Sequence, residues 1–142
     1  MTLAEKQAEL TRELSARRDS QERFAWLVER AKRLPALEDL LRVDAHRVEG
    51  CLAKLWLVCE YREGRCWFRC DADSMIVKAI ASLLCEFYSG HAPAEILAHE
   101  PTFLGPLGVT QHLTPNRRNS LSRVWETIRA FAQQHAATDK PA

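Results

Sequence analysis

No long apolar run, no block of like charge and no Cys-x-x-Cys pair occurs in this sequence, and each absence removes a class of protein. A bilayer span needs about 20 predominantly apolar residues, whereas the richest stretch, Met75 to Leu84, is broken by Lys78. The formal charge is only +1, so neither a nucleic acid nor an anionic membrane is indicated as a partner. The basic pairs Arg17-Arg18 and Arg117-Arg118 stand alone and read as solvated helix faces. Met1 to Leu14 alternates charged and apolar residues and lacks the apolar core of a secretion signal. The expectation is therefore a cytoplasmic, reducing setting with free thiols. The five cysteines, at 51, 59, 66, 70 and 85, contain no Cys-x-x-Cys. That argues against a zinc ribbon, a thioredoxin-type pair and a disulfide framework.

What is present is an ordinary globular composition, 46% hydrophobic and 27% charged, without repeats or low-complexity linkers. A chain of this length buries roughly two thirds of its unfolded surface on folding, enough for an apolar core. Residues 1–142 read as one domain, with N-terminal helices over 3–41, a sheet region over 46–71 and C-terminal helices over 74–135. Thr2-Leu3-Ala4-Glu5 fits a capping box, and Asp19 or Ser20 can cap a second helix carrying Phe24, Leu27, Val28 and Ala31 on one face. Leu37, Leu40 and Leu41 suggest a short third helical piece after Pro35.

Period-two alternation begins after Gly50: Leu55, Leu57, Cys59 and Tyr61 share one strand face, Trp56 and Val58 the other. Arg62-Glu63-Gly64 reads as a turn into a second strand, 65–71, and Arg47 to Glu49 suggests a further edge strand. Asp71 and Asp73 are expected to cap a strong helix that ends at Ser89-Gly90. Pro93 starts a short helix to Ala98, and Thr114-Pro115 opens a last helix with a tail fraying after His135. The class is α+β, a small antiparallel sheet packed by helices.

Among the thiols, Cys59 and Cys85 fall on apolar faces and read as small core hydrophobes. Cys66 and Cys70 share a strand face but lack a third ligand at metal-binding spacing. Cys51 differs in following Gly50, which permits a tight or positive-φ turn and close approach of another backbone. A thiol on such a turn can reach a partner's active site. A buried cysteine at the start of a strand has the same spacing, which does not separate the two readings.

The order of motifs does. Arg33-Leu34-Pro35-x-Leu37 precedes Gly50-Cys51, Trp56, Gly64-Arg65-Cys66-Trp67-Phe68 and Asp71-Ala72-Asp73-Ser74. Tyr88-Ser89-Gly90, Pro93-Ala94-Glu95-Ile96-Leu97 and Gln111-His112-Leu113-Thr114-Pro115-Asn116-Arg117 follow. From about Phe24 to Phe131 this succession resembles the SufE family of sulfur-acceptor proteins, and less closely its sister group CsdE. The resemblance implies the SufE fold, similar to that of U-type iron–sulfur scaffold proteins. It also implies a sulfur carrier and activator rather than a free-standing enzyme. The thiol matching Cys51 takes persulfide sulfur from a SufS-type cysteine desulfurase and passes it to a SufB-type cluster scaffold. No cofactor or metal is implied on this chain, because the pyridoxal phosphate belongs to the desulfurase; homodimer formation stays open. Arg117, Asp73 and His112 match family positions that support the thiol, each with a structural alternative as helix-face cation, helix cap or interface residue. The family's polar pair after Gly-Cys is Leu52-Ala53 here, and two of its glycines are Ala79 and Ser120.

Three other classes are distinguishable. A thiol hydrolase would pair Cys51 with His46 or His112 as base. A cluster or metal scaffold would need several convergent ligands. A non-catalytic interaction module would leave Cys51 inert.

Overall fold

Thr2 accepts the Glu5 N–H while the Glu5 carboxylate returns to the Thr2 N–H, so the capping box forms and starts α1, Leu3–Ser15. Asp19 caps α2, Ser20–Lys32, by accepting the Glu22 N–H at 2.9 Å. The computed structural model describes residues 1–50, 54–111 and 113–139, so Cys51 and His112 lie outside the described residues. After α2 the expected third helical piece is a single 3-10 turn, Asp39–Leu41, followed by another at Asp44–His46.

The strands are β1, Leu55–Arg62, and β2, Arg65–Ala72, paired antiparallel with Leu55 opposite Ala72 and Arg62 opposite Arg65. Glu63 and Gly64 both have positive φ, the two-residue loop pattern that matches strand twist. Leu55 through Val58 are buried on both faces, one against the main core and the other against Leu37 and Leu41. On β2, Cys66, Phe68 and Cys70 point to the main core. The edge strand expected at Arg47–Glu49 reduces to one bridge, Arg47 with Trp56, supported by a Val48 N–H to Leu55 carbonyl bond of 2.9 Å.

The central helix is α3, Met75–Tyr88, almost wholly buried between the sheet, α2 and the last helix. Neither aspartate caps it. Ser74 is the N-cap, accepting the Val77 N–H at 3.4 Å. Asp71 is instead drawn inward, where it accepts N–H groups of Leu37 (3.0 Å) and Ala72 (2.9 Å) and pairs with buried Lys78 at 3.5 Å. At the other end, Gly90 at φ +84° turns the chain back beside β2, bonding through its N–H to the Cys66 carbonyl. The short α4, Pro93–Leu97, then leads to a 3-10 turn at Thr102–Leu104 and to α5, Pro115–Asp139.

Helix α5 continues to Asp139, four residues past His135, where the tail is expected to begin. Phe131 meets Phe68 edge-on at 5.9 Å, and His135 stacks on Tyr61 at 4.3 Å. Ring contacts with the sheet anchor the helix as far as His135. Ala79 is buried on α3 and Ser120 on α5, and Ser120 backs a small gap between the two helices with Val77, Ile80 and Val124. Among the described residues, no helix is long and apolar enough to cross a membrane.

Candidate functional site

Val48 and Leu55 are hydrogen-bonded to each other, so the residues between them, Cys51 included, connect two fixed points of the chain. Both flanks of Cys51–Ala53 are exposed and anchored. On the N-terminal side Gly50 has φ +77°, and its carbonyl accepts from the Asn119 side-chain amide at 2.7 Å. The Arg123 side chain lies against the same residue; a Cβ built on Gly50 would stand 2.8 Å from Arg123 Nε. Glycine is thus required twice, for the left-handed backbone and for the guanidinium's approach. On the C-terminal side the Lys54 carbonyl accepts the Asp73 N–H at 3.0 Å.

Asp73 therefore sits at the exit of the Cys51 segment, with its carboxylate 3.7 Å from Arg42, whose guanidinium lies 4.7 Å over the Trp56 ring. Arg117 occupies a different place. It starts α5, its N–H bonded to the Thr114 hydroxyl, and it lines the gap shared with Val77, Ile80 and Ala81 of α3. Arg117 and Arg123 are six residues apart, about 240° round the helix. The described contacts bring Asn119 and Arg123, not Arg117, to Gly50. Sequence reasoning missed both, along with Arg42. The only local signal was their spacing of four on α5, which puts them on one helix face.

An open groove of about 710 Å³ runs from this corner, lined by His46, Arg47, Glu49, Leu57, Cys59 and Arg123 among others. His46 sits in it on the 3-10 turn, half-buried. No group of three His, Cys, Asp or Glu side chains that could hold a metal exists among the described residues.

The four described thiols are free and belong to the core or its edge. Burial pushes the Cys59 thiol up to about 12, with Cys66 nearby adding to it, and burial pushes Cys66 up to about 11. Cys85 is raised well above the usual thiol value by its hydrogen bond with Cys70 and by burial. A thiolate is the nucleophilic form, so at neutral pH Cys59, Cys66 and Cys85 are held in their unreactive state.

Known proteins agree with this architecture. A family model described as "SufE: Fe-S metabolism associated domain" matches residues 8–132. An uncharacterized SufE-like protein of Synechocystis is 24% identical over 131 residues, covering 92% of this chain and 82% of that one. The solution structure of a hypothetical protein from Thermus thermophilus superposes with a TM-score of 0.72 at 20% identity, over 96% of this chain and 99% of the other. With the family domain spanning nearly all the helices and the sheet described above, the chain belongs to the SufE family and has a role in iron–sulfur metabolism.

Proposed function

We propose that this protein is a sulfur acceptor working with a cysteine desulfurase, that Cys51 is its accepting thiol, and that the sulfur is delivered to iron–sulfur cluster assembly. The observation that carries the reading is the contrast among the cysteines. Three of the four described thiols are held protonated within the core, while Cys51 follows a surface glycine and lies between two exposed, anchored residues. Family membership supports a sulfur-handling role for the remaining thiol.

The step is a thiolate–persulfide exchange. The Cys51 thiolate attacks the terminal sulfur of the desulfurase persulfide. The sulfur–sulfur bond breaks, the desulfurase cysteine leaves as thiolate, and Cys51 becomes the persulfide. One sulfur–sulfur bond replaces another, so no external oxidant is needed. The pyridoxal phosphate that first releases sulfur from cysteine is supplied by the desulfurase. Accepting its sulfur frees the desulfurase cysteine for another cycle, which is the stimulation; a SufB-type scaffold then receives the sulfur by a second exchange of the same kind.

The test is desulfurase turnover of cysteine with wild-type protein or Cys51→Ser present. Stimulation is expected with wild type and its loss with Cys51→Ser, while variants at Cys59 and Cys85 stimulate as wild type does. Full stimulation by Cys51→Ser overturns the proposal.

A further inference from the structure

We infer that the outer edge of β1, from Leu57 to Tyr61, is a docking strand that pairs with an extended segment of the desulfurase, an inference that rests on reading this chain as that enzyme's sulfur acceptor. The ladder decides which backbone groups are open. A two-residue loop closes on a hydrogen-bonded pair, so Arg62 and Arg65, and every second pair from there, turn their N–H and C=O groups towards each other. The residues between them point theirs outward: Leu55, Leu57, Cys59 and Tyr61 on β1, and Cys66, Phe68 and Cys70 on β2. The outer contacts agree, since the Leu55 carbonyl accepts the Val48 N–H. On β2 the outer edge is capped by the returning chain. Cys66 donates to the His91 carbonyl and accepts from Gly90, and the Ser89 hydroxyl accepts the Phe68 N–H and donates to its carbonyl. On β1 the covering segment stops at the Arg47–Trp56 bridge and the Val48–Leu55 bond. Beyond it, the outward groups of Cys59 and Tyr61 have no partner among the described residues.

An open edge of this kind is a template for one more strand. Cys59 and Tyr61 are only half-buried, so a strand can reach them. The groove of about 710 Å³ is lined by Leu57 and Cys59 of this edge, by the 44–49 segment and by Thr127 and Ala130 of α5. In such pairing the main-chain bonds supply affinity, and side chains at alternate positions supply selectivity. A residue added opposite Cys59 points to the face that Cys59 shares with the core, where Thr127 and Ala130 are short. The segment that fits therefore carries small or apolar residues at alternate positions. The occupant follows from where the groove leads. Glu49 and Arg123 line it, and Arg123 lies against Gly50, so it is continuous with the surface that a sulfur acceptor turns to its desulfurase. A second copy of this chain fits worse. In an antiparallel β1–β1 pair centred on Cys59, the Arg47–Val48 segment of each copy meets the Glu63-Gly64 turn of the other.

The experiment is backbone hydrogen exchange of the full-length chain, alone and with the cysteine desulfurase, read by mass spectrometry on peptides covering β1. Beside it, the desulfurase is titrated with Tyr61→Ala and Tyr61→Pro. Both variants lose the ring stack on His135, but proline also removes the outward N–H, which no ladder bond uses. The β1 amides should exchange more slowly in the complex. Tyr61→Pro should bind about tenfold more weakly than Tyr61→Ala, the upper value of one hydrogen bond. Where Tyr61→Pro fails to fold, the exchange result decides alone. Unchanged β1 exchange in a formed complex, or equal binding by the two folded variants, overturns the docking strand and leaves the acceptor reading standing. Protection of β1 that grows with this protein's own concentration, without desulfurase, gives the edge to a second copy and overturns the assignment. A desulfurase that neither binds the wild type nor is stimulated by it overturns the acceptor reading and the docking strand together.

Discussion

Replacing Gly50 by alanine separates backbone from side-chain effects at the candidate site, because the chain carries its own control. Gly50 and Gly64 share φ +77°, but a Cβ at Gly64 meets nothing within 4 Å, whereas at Gly50 it meets Arg123 Nε at 2.8 Å. Holding alanine in the left-handed region costs about 1–2 kcal/mol, and the stiffer unfolded chain returns about 0.4–1 kcal/mol. The net loss is about 1 kcal/mol for either variant, a fall in Tm of about 3–4 °C for a domain of this size. The extra clash at Gly50 is with a half-exposed side chain that can swing aside, so it adds little to the stability loss. Its effect is to push the Arg123 guanidinium off the root of the Cys51 segment. Thermal melts should therefore show similar losses for Gly50→Ala and Gly64→Ala, while desulfurase-dependent sulfur transfer drops in the first alone. Equal transfer rates for the two variants would refute the reasoning. So would a Tm loss in Gly50→Ala several times that in Gly64→Ala, which would mean that Arg123 cannot yield.

Removing the Asp71 carboxylate leaves Lys78 buried without its partner and orphans two N–H groups, so Asp71→Ala should cost about 3–5 kcal/mol. The melt should fall by about 10–15 °C, and Asp71→Leu combined with Lys78→Met should recover most of it; a near-neutral Asp71→Ala would show that water reaches the pair. With Cys59 at about 12, roughly one molecule in ten thousand carries that thiolate at pH 8, and for Cys66 at about 11 roughly one in a thousand. Brief iodoacetamide treatment of the native protein at pH 8 should accordingly label Cys51 well ahead of those two, and rapid labelling of Cys59 or Cys66 would contradict their burial. His91 is held below its ordinary 6.5 by burial, although its 2.7 Å bond to Glu95 works the other way. The unfolded chain then binds that proton first, so this contribution is present above pH 6.5 and is lost as pH falls through and below it. Burial raises Glu95, but its bonds to His91 and the Leu3 N–H outweigh this and leave it below 4.5, so its contribution is lost on further acidification. Melts at pH 7.5 and 5.5 should show a decline that His91→Gln flattens; a wild-type Tm that rises on acidification reverses the sign and defeats the argument.

Features decided by neighbours in the chain were legible in the sequence. The Thr2–Glu5 capping box, the Asp19 cap, the Glu63-Gly64 turn and both strands formed where local pattern put them. Features decided by distant partners were not. Asp71 and Asp73 look alike as caps before α3, yet one is claimed by Lys78 and Leu37 and the other by Arg42, which leaves Ser74 to cap. The end of α5 reads as frayed because its small polar residues carry no signal of the Phe68 and Tyr61 rings waiting on the sheet. At the candidate site, Gly50 was legible from its chemistry. Asn119 and Arg123, 69 or more residues away, look like solvated helix positions until the fold sets them against it.

The central claim is that Cys51 receives sulfur. Intact-protein and peptide mass spectrometry after incubation with a cysteine desulfurase, pyridoxal phosphate and cysteine tests it most directly. The account predicts one added sulfur, removable by a reducing thiol and located on the peptide containing Cys51, with none on those containing Cys59, Cys66, Cys70 or Cys85. An added sulfur that persists in Cys51→Ser, or wild-type protein that gains none while the desulfurase turns over, would contradict it.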